Sequence, residues 1–289
     1  MKFNFFKSFL IMAVLGFAQL SLAKEVVVLV PGFFNTFAPE YFSQTIVDSF
    51  KQKGFEVYVI DCLNPVGYIE ENGARLESRL AEIEKIENRR VSFNIVAHSA
   101  GGFYSMWVAN RQKFDIKNII AVSTPFRGVE FVKVWLDNSF LFRTVMTLAH
   151  LESLKELTPE GANKFIKSVR IHPKTKMFAF GGTQSAGLDI TDARNLSVPL
   201  RVTDHYTTGK SDGIVGFASA MGIGQLQTTD NKVAQQFRNP EFNINLEHWE
   251  QVLDYRSFVL LGSRNIGYIK NEQNRFYSGI ANFLLTQLK

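Results

Sequence analysis

The sequence predicts an α/β fold on a mostly parallel central sheet with helices on both faces. Three observations predict it. Apolar runs of strand character alternate with amphipathic helical stretches from Glu25 to Ser123. The first run, Glu25–Val30, is almost wholly Val and Leu, as in a strand covered on both faces. The third, Val91–Val96, passes through Ala97-His98-Ser99-Ala100-Gly101 into the helical stretch Phe103–Asn110. With 289 residues, 46% of them apolar, the chain can bury a large core. No internal repeat, low-complexity segment or linker divides it, so residues 24–289 read as a single domain.

The elements follow in order. Pro31-Gly32-Phe33-Phe34-Asn35 stops the first strand, and the Gly lets backbone amides face a ligand or simply makes a tight turn. Pro39 opens a helix with Phe42, Ile46 and Phe50 on one face, and Gly54 ends it. Phe55–Cys62 alternates as a second strand. Leu76, Leu80, Ile83 and Ile86 mark the buried face of the next helix. After the third strand and its helix, Ile116–Ser123 is the fourth strand. Beyond Pro125 the texture changes to a strongly apolar helical block, about 129–170, of the kind that forms a lid or cap. Within it Thr158 is an N-cap with Pro159 at the first helical position. Lys176–Gly182 and Pro199–Thr203 read as strands, Gln225–Pro240 as a surface loop and Phe242–Leu246 as a last short strand. Phe276–Leu288 is an amphipathic closing helix.

The N-terminus and the charge bound the setting. Lys2 and Lys7, the apolar Phe9–Phe17 and the small residues of Ser21-Leu22-Ala23 form the pattern of a cleaved signal peptide over residues 1–23. The apolar stretch falls short of the ~20 residues of a spanning helix. The pattern predicts export to the periplasm or the medium. Cys62 is the only cysteine, so no internal disulfide can form. A formal charge of +5 without a long basic run gives no case for nucleic acid.

The chemistry centres on Ser99. A strand, a sharp turn around a Ser and then a helix is the context of a nucleophile elbow. The strained turn needs small neighbours, which Ala97, Ala100, Gly101 and Gly102 supply. Such a Ser is a weak nucleophile until a base takes its proton and an acid orients the base. Five His are present. His98 sits beside Ser99 and cannot easily turn back onto it; His150 and His172 precede the late strands; His205 precedes the best acid candidate. His248 remains as the base. Asp212, in the turn Ser211-Asp212-Gly213, fits best as the acid, with Asp189, Asp192 and Asp204 as rivals.

These residues together resemble the secreted bacterial triacylglycerol lipases, the lidded group whose folding uses a dedicated foldase. The similarity runs in patches over most of the exported chain. Val26–Phe33 resembles that family's first strand and its His-Gly-Leu oxyanion turn, with Pro31 in place of the His. Asn94–Gly102 is similar to its elbow. Ser123-Thr124-Pro125-Phe126-Arg127-Gly128 resembles its Gly-Thr-Pro-His-Arg-Gly, and Leu157-Thr158 and Gly181-Gly182-Thr183 match two further turns. Ser211-Asp212-Gly213-Ile214-Val215 resembles its Asn-Asp-Gly-Val-Val, and Leu246-Glu247-His248-Trp249 stands where it has Asn-His-Leu-Asp. The resemblance implies an α/β-hydrolase fold with Ser99, Asp212 and His248 as the catalytic triad. It implies an oxyanion hole from the backbone N–H groups of Phe33 and Ala100, a lipid or ester substrate, and a foldase partner. The family also carries a disulfide, which this chain cannot form. It holds a structural Ca²⁺ as well, for which Glu250 with Asp192 or Asp189 are the candidates. An esterase or thioesterase for shorter acyl groups is the alternative within enzymes, and an inactive hydrolase-fold binding protein the alternative outside them.

Overall fold

The computed structural model describes residues 25–35, 41–184, 196–224, 226–238, 242–254 and 265–287. The signal-peptide segment, Pro39, Asp189 and Asp192 lie outside the described residues. Eight strands are described: β1 (Val26–Val30), β2 (Glu56–Val59), β3 (Ser92–His98), β4 (Asp115–Val122), β5 (Arg170–Ile171), β6 (Lys176–Phe180), β7 (Gln227–Thr228) and β8 (Gln236–Arg238). Six of them form one sheet in the order β2-β1-β3-β4-β6-β8, while β5 pairs with β7. Every neighbouring pair in the large sheet is parallel.

Parallel strands need crossovers, and the helices supply them. They are α1 (Gln44–Lys51), α2 (Ile69–Glu87), α3 (Gly101–Arg111), α4 (Glu130–Asn138), α5 (Phe140–Leu148), α6 (Pro159–Ser168), α7 (Val198–Asp204), α8 (Phe217–Ala220) and α9 (Ile266–Gln287). Because strand side chains alternate between faces, the continuous Val run of β1 feeds two cores. Val26, Val28 and Val30 join Ile95, Ala97, Ile119 and Ala121 under residues of α2 and α3. Val27 and Leu29 join Val96, Ile120, Val122 and Phe178 under residues of α1 and α9. This sandwich holds the C-terminal ends of β1, β3 and β4 level, since Val30 registers with Ala97 and His98 with Val122. No helix among the described residues is long and apolar enough to cross a membrane.

Several sequence expectations are corrected. Pro199–Thr203 lies in helix α7 rather than a strand. The Pro in its first turn sets a helical start that outweighs the β-branched content, while the Ser197 hydroxyl donates to Glu247 Oε1 at 3.0 Å and does not cap. The stretch Gln225–Pro240 is not simply a loop, because β7 and the edge strand β8 come from it. Three residues are too few to show a period, and β8 is anchored by Phe237, whose ring stacks on Phe178 at 4.8 Å. Phe242–Leu246 forms only a single bridge, Ile244 to Gly182. Ile86 does not belong to the buried face of α2, being 62% exposed. The closing helix starts at Ile266, well before Phe276. Between β4 and β5 the apolar block is helical throughout its main elements: α4, α5, a 3₁₀ segment Glu152–Leu157, and α6. Thr158 caps α6 by accepting from the Gly161 amide at 3.2 Å, with Pro at the start of the helix.

Candidate active site

The site is built on the turn between β3 and α3. Ser99 has φ +54°, in the left-handed region that a non-Gly residue enters only under constraint. Its amide donates to Val122 O of the neighbouring strand at 2.9 Å, and its carbonyl accepts from Thr124 Oγ1 at 2.8 Å. Two glycines let the turn close. A Cβ on Gly102 would stand 2.2 Å from Thr124 Oγ1, and one on Gly32 would stand 2.7 Å from Ser99 Cβ. Gly102→Ala is therefore expected to push Thr124 off the Ser99 carbonyl. The cost should be about 1–3 kcal/mol, typical of overpacking. A lower Tm in a thermal melt checks this, and an unchanged Tm would contradict it.

The structure brings Ser99, His248 and Asp212 into one hydrogen-bonded line. His248 Nε2 lies 3.0 Å from Ser99 Oγ, and His248 Nδ1 lies 2.9 Å from Asp212 Oδ2. Asp212 is wholly buried, His248 1% exposed and Ser99 8% exposed. Asp212 Oδ1 accepts from the amides of Ile214 at 3.1 Å and Val215 at 2.8 Å. The Gln251 amide donates to Oδ2 at 2.9 Å, and His248 N donates to Asp212 O at 2.9 Å, so the two loops are also tied through the backbone. Burial alone would raise the Asp212 pKa. The His248 ring, the Val215 amide and the Ser123 hydroxyl more than offset that and hold the carboxyl below its usual range. An ionised Asp212 only accepts, so His248 carries its proton on Nδ1 and offers the Nε2 lone pair to the Ser99 hydroxyl.

The rivals fall elsewhere. Asp204 accepts a hydrogen bond from the Ser211 hydroxyl. His172 accepts from the Lys174 amide at 3.1 Å, and His205 packs on Tyr206. His98 is buried behind Ser99, its ring centroid 4.5 Å from that of His248.

Two backbone N–H groups belong to the turns that meet at Ser99. Gly32 lies against the elbow, its missing Cβ only 3.1 Å from Ala100 N. The turn is pinned on either side of Phe33: the Gly32 amide donates to Tyr41 Oη at 3.0 Å and the Phe34 amide to Pro65 O at 2.7 Å. The amides of Phe33 and Ala100 have no acceptor among the described residues. A small anion or a polarised carbonyl oxygen is the natural partner for such a pair.

Sequence reasoning missed Tyr41 and Gln251. Neither carries a motif, and only the fold brings them to the site. For a cation, Glu250 is fully buried near His248, but no cluster of three or more His, Cys, Asp or Glu among the described residues can hold a metal ion. The described part of the site does not by itself fit Ca²⁺. Cys62 is free and exposed.

The sheet order, the elbow and the helices on both faces define the α/β-hydrolase fold, and solved structures agree. No family model and no curated protein sequence matches the chain. Similar in structure are a Staphylococcus hyicus lipase (TM-score 0.65, 14% identity, 91% of this chain and 95% of that one) and a metagenomic carboxyl esterase (TM-score 0.63, 13% identity, 90% and 76%). The mature form of the Bacillus licheniformis lipase BlEst2 also matches (TM-score 0.54, 19% identity, 83% and 92%). Against the propeptide form of BlEst2 the chain spans 43% of that protein's length, with a TM-score of 0.56, 23% identity and 68% of this chain covered.

Proposed function

We propose that the protein is an exported serine carboxylic ester hydrolase, a triacylglycerol lipase working through an acyl-enzyme on Ser99. One observation carries the reading: the line Ser99 Oγ, His248, Asp212 at 3.0 and 2.9 Å, beside two backbone amides with no acceptor among the described residues. In the reaction Ser99 Oγ bonds to the acyl carbon while His248 Nε2 takes its proton. The carbonyl electrons move onto oxygen, which the Phe33 and Ala100 amides receive. The carbonyl re-forms, the ester C–O bond breaks, and His248 returns the proton to the departing alkoxide. Water then attacks the acyl-enzyme, giving a proton to His248, and the acid leaves as Ser99 Oγ takes that proton back. Asp212 stays ionised and stabilises the imidazolium. Export rests on the signal-peptide pattern of residues 1–23, and the foldase on the family resemblance.

A lipid substrate is supported by the block 129–170. Phe140, Leu141, Val145 and Leu148 of α5 are 76%, 72%, 48% and 77% exposed, an unusual apolar load for one nine-residue helix in water. Ser99 meanwhile is nearly sealed. We read the block as a lid that uncovers Ser99 where a lipid surface takes up its apolar face, at ~25 cal/mol per Å² buried. The rate on one ester, followed across its solubility limit, should jump as droplets form. A smooth saturation curve through that limit, with preference for short acyl chains, selects the esterase or thioesterase reading.

A further inference from the structure

Behind the triad lies a second set of polar groups that the reaction as derived does not use. Tyr41 Oη accepts the Gly32 amide and lies 2.8 Å from His98 Nδ1. Donation of the phenol's one proton to His98 Nδ1 is the arrangement that leaves the buried hydroxyl no idle donor, and in it His98 carries its own proton on Nε2. His98 Nε2 is buried without a hydrogen-bond partner among the described residues, and so is Gln251 Oε1. Both groups adjoin the same pair: the His98 ring lies 4.5 Å from the His248 ring, and Gln251 Nε2 bonds Asp212 Oδ2 at 2.9 Å. The Gln251 amide cannot be turned the other way, because its NH₂ end is held by Asp212 Oδ2 at 2.9 Å and Leu246 O at 3.3 Å. Its carbonyl is thus left for the His98 N–H, which a small closure would bond.

We propose that His98 and Gln251 are positioning residues: they complete a chain Gly32–Tyr41–His98–Gln251–Asp212 that sets the oxyanion turn and the triad acid against each other. One end is the peptide immediately before the Phe33 N–H; the other is the carboxylate oxygen that holds His248. The groups facing His98 are Tyr41, Gln251, Asp212, the His248 ring and the His248 backbone carbonyl. Burial first, and then the His248 ring, push the His98 pKa well down. His98 therefore stays neutral when His248, 4.5 Å away, gains its proton during the reaction. A cation there would oppose that step. The inference rests on the ester-hydrolase reading for its kinetic part only.

Two measurements test it. Nitrogen-15 NMR of histidine-labelled protein should show His98 as the neutral Nε2–H tautomer at pH 7, whatever the enzyme's substrate. An Nδ1–H tautomer or a charged ring overturns the chain. The second is a double-mutant cycle of Tyr41→Phe and Gln251→Met, which sit at opposite ends of His98. Each should lower kcat by about tenfold with KM within about twofold, and the pair by well under the roughly hundredfold product of independent effects. Additive losses, or a kcat unchanged in either single variant, overturn the proposal. If a variant does not fold by thermal melting, the wild-type tautomer decides. If the wild type neither turns over esters nor reacts with a fluorophosphonate, the hydrolase reading fails while the NMR result still judges the chain.

Discussion

Ser99→Ala is expected to lower kcat by on the order of 10⁶ and to abolish labelling by a fluorophosphonate. The change removes only the Oγ that faces His248 Nε2 at 3.0 Å. The backbone hydrogen bonds that fix the turn, from Ser99 N to Val122 O and from Thr124 Oγ1 to Ser99 O, remain. The fold should be kept, and circular dichroism and a thermal melt check it. Turnover above a few per cent of wild type in a folded variant would sink the assignment of Ser99.

Asp212→Asn should cost roughly 10⁴ in kcat with the fold retained, by analogy with the serine proteases. The amide oxygen can still accept from Ile214 and Val215, which meet Oδ1. Its NH₂ then stands where Oδ2 receives His248 Nδ1 and Gln251 Nε2. Three donors would converge there, and the relief is for His248 to move its proton to Nε2. In that tautomer the ring has no lone pair for the Ser99 hydroxyl. Asp204→Asn is the control. Asp204 is engaged with Ser211, and its variant should stay near wild-type turnover. A large loss in Asp204→Asn, or in variants of Asp189 or Asp192, would move the acid elsewhere.

Much of the fold and of the candidate site was legible in the sequence, and the legible parts share a physical cause. β1 is readable because a strand covered on both faces must be apolar at every position, and Val26–Val30 is. The elbow is readable because its turn excludes large side chains, as the 2.2 Å approach at Gly102 shows. Asp212 could be named because it sits in a recognisable turn, and His248 because it alone of the five His follows that acid along the chain. The misreadings fall where local signals are weak or conflict. β8 is three residues held by one stacked Phe, and α7 carries β-branched residues behind a helical start. Tyr41 and Gln251 were invisible for a different reason. Their roles come from atoms 57 and 39 residues away in the chain, and nothing local marks such a pairing.

The all-parallel sheet has a consequence for how the site comes into being. Its strands pair only across crossovers, so each contact closes a long loop before it contributes stability, and such topologies fold slowly. The site lies at the far end of that order: Ser99 and His248 are 149 residues apart, with Asp212 between them, 36 residues before His248. Helices and the β1–β3–β4 centre can form while Asp212 and His248 still belong to unplaced loops. During that interval the Val-rich strand edges are open to other chains. Recovery of activity is then the last event of refolding, later than the recovery of secondary structure, and the yield of active protein falls as the chain concentration rises.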